Sequence, residues 1–158
     1  MPQNSENLGP LEDVPAYMLY RVSRLMRFNI QKALKNTELG ITPEQYFLLY
    51  RLYQKDRVAQ SELADEVLGD YPNITRLVDG LVKNNLVQRT PDTNDRRKHL
   101  IKLTPKGKRT MKSMAPGIAK TRDHFFGNIS QRDLQAFTRV LRSLQSSVLE
   151  TLKHGKHG

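Results

Sequence analysis

The chain has 158 residues, room for one domain with helical extensions, and 37% of them are apolar, a modest share for a compact core. No run approaches the roughly 18 apolar residues that span a bilayer. The polar start (Asn4, Ser5, Glu6, Asn7) lacks a signal peptide's apolar stretch, and the absence of cysteine excludes disulfides and thiolate metal or redox sites. The 26 Lys and Arg outnumber 16 Asp and Glu for a net charge of +10, which favours a polyanion or an anionic membrane surface as partner. Ten basic residues and only three acids lie between 71 and 109, so this quarter of the chain carries seven of the ten net charges. A merely solvated surface would spread them more evenly.

Residues 1–12 have no periodicity and read as a flexible arm. Asp13, Val14 and Pro15 open a helix, with proline in its first turn. Leu19, Val22, Met26, Ile30 and Ala33 follow as one apolar stripe, and Gly40 is its expected stop. Thr42-Pro43-Glu44-Gln45 is a capping box with a first-turn proline. It starts a helix carrying Phe47, Leu48, Tyr50 and Leu52 to about Gln54. A short helix from Ser61 to Leu68 buries Leu63, Ala64 and Val67, and Gly69-Asp70 makes the turn. From Tyr71 the apolar positions Ile74, Leu77, Val78, Leu81 and Val82 define a second helix. Asn84-Asn85 ends it, because Asn tolerates the left-handed conformation required there.

The period then changes. Leu86 to Thr90 and Leu100 to Thr104 read as two strands, with Ile101 and Leu103 on one face. The polar loop between them, Pro91 to His99, makes this pair a basic wing. Thr104-Pro105 caps a further helix that Pro116-Gly117 is expected to kink or interrupt. Ser130, with Asp133 three residues on, starts the last helix. There Leu134, Phe137, Leu141, Leu144, Val148 and Leu152 repeat almost as a coiled-coil seam. The predicted fold is mainly α with a small β wing. A winged helix-turn-helix spans 42–104, helices over 13–36 and 105–152 form a dimerisation region, and a disordered tail covers 153–158.

Burying Ile74, Leu77, Val78 and Leu81 turns Asn73, Thr75, Arg76, Asp79 and Lys83 outward. Short hydrogen-bonding side chains and an arginine near a helix N-terminus suit base edges in a major groove. At the wing tip, Arg96, Arg97 and Lys98 stand beside Asp95. An arginine on a thin β-loop can reach a narrow minor groove, and Asp95 can orient a neighbouring guanidinium.

These residues resemble the MarR family of bacterial regulators over about 15–150. The likeness rests on Ser61-Glu62-Leu63-Ala64, on Asn73 to Leu81, and above all on Asp92 and Asp95-Arg96-Arg97 followed by Ile101-Lys102-Leu103-Thr104-Pro105-Lys106-Gly107. The resemblance implies a homodimer whose first and last helices interlock, with two winged lobes astride a pseudo-palindromic duplex. It also implies Arg97 in the minor groove, Asn73, Thr75 and Arg76 reading the major groove, and Ser61 and Lys83 on phosphates. Function then reads as a sequence-specific, non-enzymatic transcriptional regulator, more often a repressor, in a bacterial or archaeal cytoplasm at the nucleoid. Departures from the family pattern are Asn94 in place of a third basic residue, Asn85 in place of glycine, and Pro116-Gly117.

An effector site is the next candidate. Arg21, Arg24 and Arg27 recur every three residues and suit either an anionic ligand or a solvated, acid-paired face. Tyr46, Phe47, Tyr50 and Tyr53, with Met111 and Met114, suit either an aromatic pocket or, by default, ordinary core packing. A carboxylated aromatic or its thioester would match arginine with tyrosine best. His99, His124, His154 and His157 lack metal-ligand spacing, no cofactor motif occurs, and no nucleophile or carboxylate pair supports catalysis. Two rival readings remain: a DNA-coating protein without sequence preference, and a helical interaction module whose basic wing is incidental. Sequence preference separates the first from a regulator, and any DNA affinity excludes the second.

Overall fold

The computed structural model describes residues 9–35, 39–66, 71–95 and 97–154. Val67, Leu68, the Gly69-Asp70 turn, Arg96, most of the expected arm and the tail after His154 lie outside them. The chain divides into two units, Met1–Ala119 and Lys120–Gly158.

In the first unit a short 3-10 turn, Leu11–Asp13, occupies the end of the expected arm and leads into α1 (Pro15–Leu34). This helix stops six residues before Gly40, which instead adopts φ +59° in the approach to α2. Only the C-terminal end of α1 meets the core. Leu34 is buried and Ile30 packs beside it, whereas Leu19 and Val22 of the expected stripe are exposed.

The capping box forms as its residues dictate at the start of α2 (Pro43–Gln54). Thr42 Oγ1 accepts from the Gln45 N–H at 3.2 Å, and the Thr42 N–H donates to Gln45 Oε1 at 3.1 Å. The buried face of α2 is Tyr46, Leu48, Leu49 and Leu52; Phe47 and Tyr50, expected inside, are exposed. Five consecutive apolar residues, 46–50, hide the helical phase, and packing alone selects it.

A strand that the sequence reading missed, β1 (Val58–Ala59), precedes α3 (Gln60–Glu66). After α4 (Tyr71–Lys83) come β2 (Val87–Pro91) and β3 (His99–Leu103). The expected two-stranded wing is therefore the outer part of a three-stranded antiparallel sheet ordered β1-β3-β2, with Val58 opposite Ile101 and Arg89 also opposite Ile101. Two residues are too few to show alternation, so β1 had no local signal.

Ile74, Val78 and Leu81 of α4 are fully buried, while Val82, at the edge of the stripe, is exposed. Asn85 takes φ +56°, the left-handed stop its side chain tolerates. Burying each large aliphatic contributes about 1.5–3 kcal/mol, and this set, with Leu86, Val87, Ile101 and Leu103, forms one core.

Exposed ion pairs brace the helices. Arg27 grips Glu44 through two contacts, 2.7 and 3.3 Å, tying α1 to α2. Arg51 reaches Glu66 at 2.6 Å and Glu62 at 3.3 Å, tying α2 to α3. Burial pushes the Glu44 carboxyl up, but hydrogen bonds from Arg27, its own backbone and Thr42, together with the Arg27 charge, hold it below the usual carboxylate range. The hydrogen bond from Arg51 does the same for Glu66 against a smaller burial effect, aided by the Arg51 and Lys55 charges. A carboxylate with a lowered folded-state pKa stabilises fully above its unfolded value of about 4.3 and loses that contribution as pH falls through the folded value. Arg51→Gln is therefore expected to lower Tm modestly at neutral pH and to approach the parent as pH falls through the lowered folded-state pKa of Glu66. A Tm difference that persisted undiminished in acid would refute this linkage.

Helix α5 (Pro105–Phe126) contains Pro116 and runs through Pro116-Gly117 without a break, so of the expected kink or interruption the interruption does not occur. In the second unit, Ser130 caps α6 (Gln131–His154): its Oγ accepts from the Asp133 N–H at 3.1 Å and donates to Asp133 Oδ2 at 2.6 Å. The helix continues to His154, two residues into the expected tail. Leu134 and Leu141 are half-buried, and Phe137, Val140, Leu144 and Val148 are exposed. Among the described residues, no helix is long and apolar enough to cross a membrane.

Candidate nucleic-acid interface

In the first unit, α4 packs against α3 and against strand β2 of the wing. With the Ile74–Val78–Leu81 face buried, Asn73, Thr75, Arg76, Asp79 and Lys83 are exposed, and Ser61 is half-buried on α3. This is the outward set that the apolar spacing predicted. Arg97 and Lys98 are exposed at the wing tip; Arg96 lies outside the described residues.

The wing tip is shaped by its two carboxylates. Asp92 Oδ1 accepts from the Asn94 N–H at 2.8 Å, and Asp95 Oδ1 accepts from the Arg97 N–H at 3.1 Å. Backbone bonds from Asp92 N–H to the Lys98 carbonyl (3.0 Å) and from Lys98 N–H to the Asp95 carbonyl (2.8 Å) close the loop. Asp95 thus meets Arg97 through the main chain, as an aspartate in a tight turn commonly does for the backbone two residues on; the neighbouring Arg96, which its carboxylate could also orient, lies outside the described residues. These bonds join the described parts of the loop, and Arg97 is exposed on it.

Behind this surface the fold is pinned at the α4–β2 junction. Thr104 Oγ1 donates to the Asn85 carbonyl at 2.7 Å and accepts from the Gly107 N–H at 2.9 Å, so one hydroxyl joins the α4 stop to the first turn of α5. Lys106 Nζ donates to the Asn84 carbonyl at 3.0 Å, placing a cation on the negative end of α4.

One group was not singled out from sequence. Arg89 on β2 pairs with Asp79 on α4 at 2.6 Å and donates from Nε to Gln60 Oε1 at 3.1 Å; Gln60 Nε2 donates to Thr75 Oγ1 at 3.1 Å. The available signal was Asp79 itself, an acid on an otherwise basic reading face, one helical turn after Thr75.

Tyr46, Met111 and Met114 belong to the core, which favours the packing alternative for them. Tyr50 is 45% exposed, its ring 6.1 Å from that of Tyr46. Arg24 Nη1 donates to the Tyr20 hydroxyl at 2.9 Å, Arg27 is paired with Glu44, and Arg21 is exposed. Among the described residues, no group of three or more His, Asp or Glu is arranged to hold a metal ion.

Residues 41–99, which cover the helix-turn-helix and most of the wing, match the model of the MarR family. The chain is 26% identical over 144 residues to the HTH-type transcriptional repressor NicR of Pseudomonas putida, covering 88% of this chain and 91% of that one. AbsC, a MarR family transcriptional regulator from Streptomyces coelicolor, superposes with a TM-score of 0.81 at 26% identity, over 92% of this chain and 99% of AbsC. CouR from Rhodococcus jostii, solved bound to p-coumaroyl-CoA, superposes with a TM-score of 0.78 at 27% identity, over 85% and 94% of the two chains.

Proposed function

From its likeness to MarR family transcriptional regulators, we propose that this chain is a regulator of that family which binds a pseudo-palindromic operator in the cytoplasm as a homodimer and represses transcription under the control of a small ligand. The observation that carries this reading is the exposed polar and basic set on two elements joined by the Arg89–Asp79 pair: Asn73, Thr75, Arg76 and Lys83 on α4, with Arg97 and Lys98 on the wing. α4 is assigned the major groove and Arg97 the minor groove, with Ser61 and Lys83 on phosphates. The exposed apolar residues Leu19, Val22, Leu25 and Phe28 of α1 and Phe137, Leu144 and Val148 of α6 support a second copy as the cover for these helices.

Ligand control draws on CouR and its bound thioester and on the exposed aromatics Phe47, Tyr50 and Tyr53 of α2. An aromatic carboxylate or its thioester is the class assigned. Such a ligand acts only by binding one arrangement of the two lobes better than another.

Side-chain truncation in an anisotropy assay on duplex DNA tests the assignment. Arg76→Ala is expected to cost about 1–3 kcal/mol on the preferred duplex and less on random sequence, as a base contact should. Arg97→Ala is expected to cost about 2 kcal/mol, roughly thirtyfold, with the fold intact. Unchanged binding by a folded Arg97→Ala protein would remove the wing from the interface, and equal losses on both duplexes would make Arg76 a phosphate contact. Adding the aromatic ligand to the preformed complex should change its apparent affinity; no change across the series would remove ligand control.

A further inference from the structure

The Asp79–Arg89–Gln60–Thr75 chain links three elements that are remote in sequence: α4, the root of the wing and the start of α3. Thr75 and Asp79 are four residues apart, so they share one face of α4. Each is held from outside the helix, Thr75 by Gln60 and Asp79 by Arg89. Arg89 in turn bonds to Gln60, closing a loop that spans one turn of the helix. A helix held at two points a turn apart resists rotation about its axis, and rotation is the motion that would misdirect its reading side chains.

The parts suit this task. Arg89 is half-buried and lies two residues before Pro91, where β2 ends and the wing loop begins. Its planar fork engages two acceptors on different elements, a geometry lysine does not reproduce. The Gln60 amide is used at both ends, its nitrogen donating and its oxygen accepting. We propose that Gln60 and Arg89 are positioning residues that hold the reading face of α4 in register with the wing, so that base discrimination depends on side chains behind the contact surface. The proposal rests on the assignment of α4 as the reading helix.

Gln60→Ala is the cleanest test, since it removes both amide bonds and leaves the net charge unchanged. Affinity is measured on the preferred duplex and on a scrambled one, across a salt series, with Tm recorded. Affinity for the preferred duplex is expected to fall by about fivefold or more while that for scrambled DNA changes less than about twofold. The salt slope is expected to stay unchanged. Arg89→Lys, which keeps the charge and loses the fork, is the second variant, and the same pattern is expected.

Equal losses on the two duplexes, or losses that follow Tm alone, would overturn the relay and leave Gln60 a merely structural residue. A salt slope lower by about one in Arg89→Gln, with slope and discrimination both intact in Arg89→Lys, would also overturn it by making Arg89 a phosphate contact. If the unaltered protein itself shows no preference between the duplexes, the regulatory reading fails, and the relay fails with it.

Discussion

Gly107→Ala is expected to destabilise the first unit by about 3 kcal/mol, near the upper end of the usual range for overpacking. A Cβ on Gly107 would collide with the Leu86 carbonyl oxygen and lie 3.2 Å from Leu103 Cδ2. The carbonyl cannot turn away, because it already accepts from the Thr104 N–H at 3.0 Å. Thr104 is itself fixed by its hydroxyl bonds to Asn85 and Gly107. Relief therefore requires moving α5 off the α4–β2 junction, which breaks the cap and opens the core at Leu86 and Leu103. For a unit of this size, a melting temperature lower by about 10 °C or more is expected. A shift under about 2 °C would mean that α5 can slide freely over the junction, contrary to the packing described.

The second large effect concerns assembly. Leu144 lies on the exposed apolar face of α6 with Phe137 and Val148, 44%, 46% and 49% exposed respectively. If a second copy covers this face, Leu144→Asp loses the burial of a leucine and places an unpaired charge in the seam. Those two costs sum to about 4 kcal/mol or more, roughly a thousandfold in dimer dissociation constant. Sedimentation velocity at micromolar concentration is expected to find a dimer for the parent and a monomer for the variant, with helical content little changed. A variant that remained dimeric would show that this face is not the seam.

The legible parts of the fold were those encoded within one or two turns of chain. Thr42 and Gln45 are three residues apart and Ile74 and Leu81 seven, so capping and the α4 stripe could be read directly. The Asn85 turn was legible for the same reason, since the conformation belongs to that residue alone. Information shared between distant segments was not. Strand β1 exists because Val58 meets Ile101, and the Gln60–Arg89 bond spans 29 residues; neither leaves a local pattern. The phase of α2 failed because apolar residues surround the helix at 46–50, and α5 continued past Pro116 because one missing donor and the local clash do not outweigh the bonded turns on either side. The outward face of α4 followed from its buried face by geometry. The bond from the Arg97 N–H to Asp95 did not, since it exists only once the turn has folded.

The central claim is sequence-specific duplex binding, and fluorescence anisotropy of the full chain tests it most directly. The probes are a duplex from the gene's own upstream region and a scrambled duplex of equal composition, titrated across a salt series. Binding that weakens steadily with salt and prefers the native duplex by more than about a hundredfold is the expected result. Equal affinity for the two duplexes, or no binding to either at low salt, would contradict it.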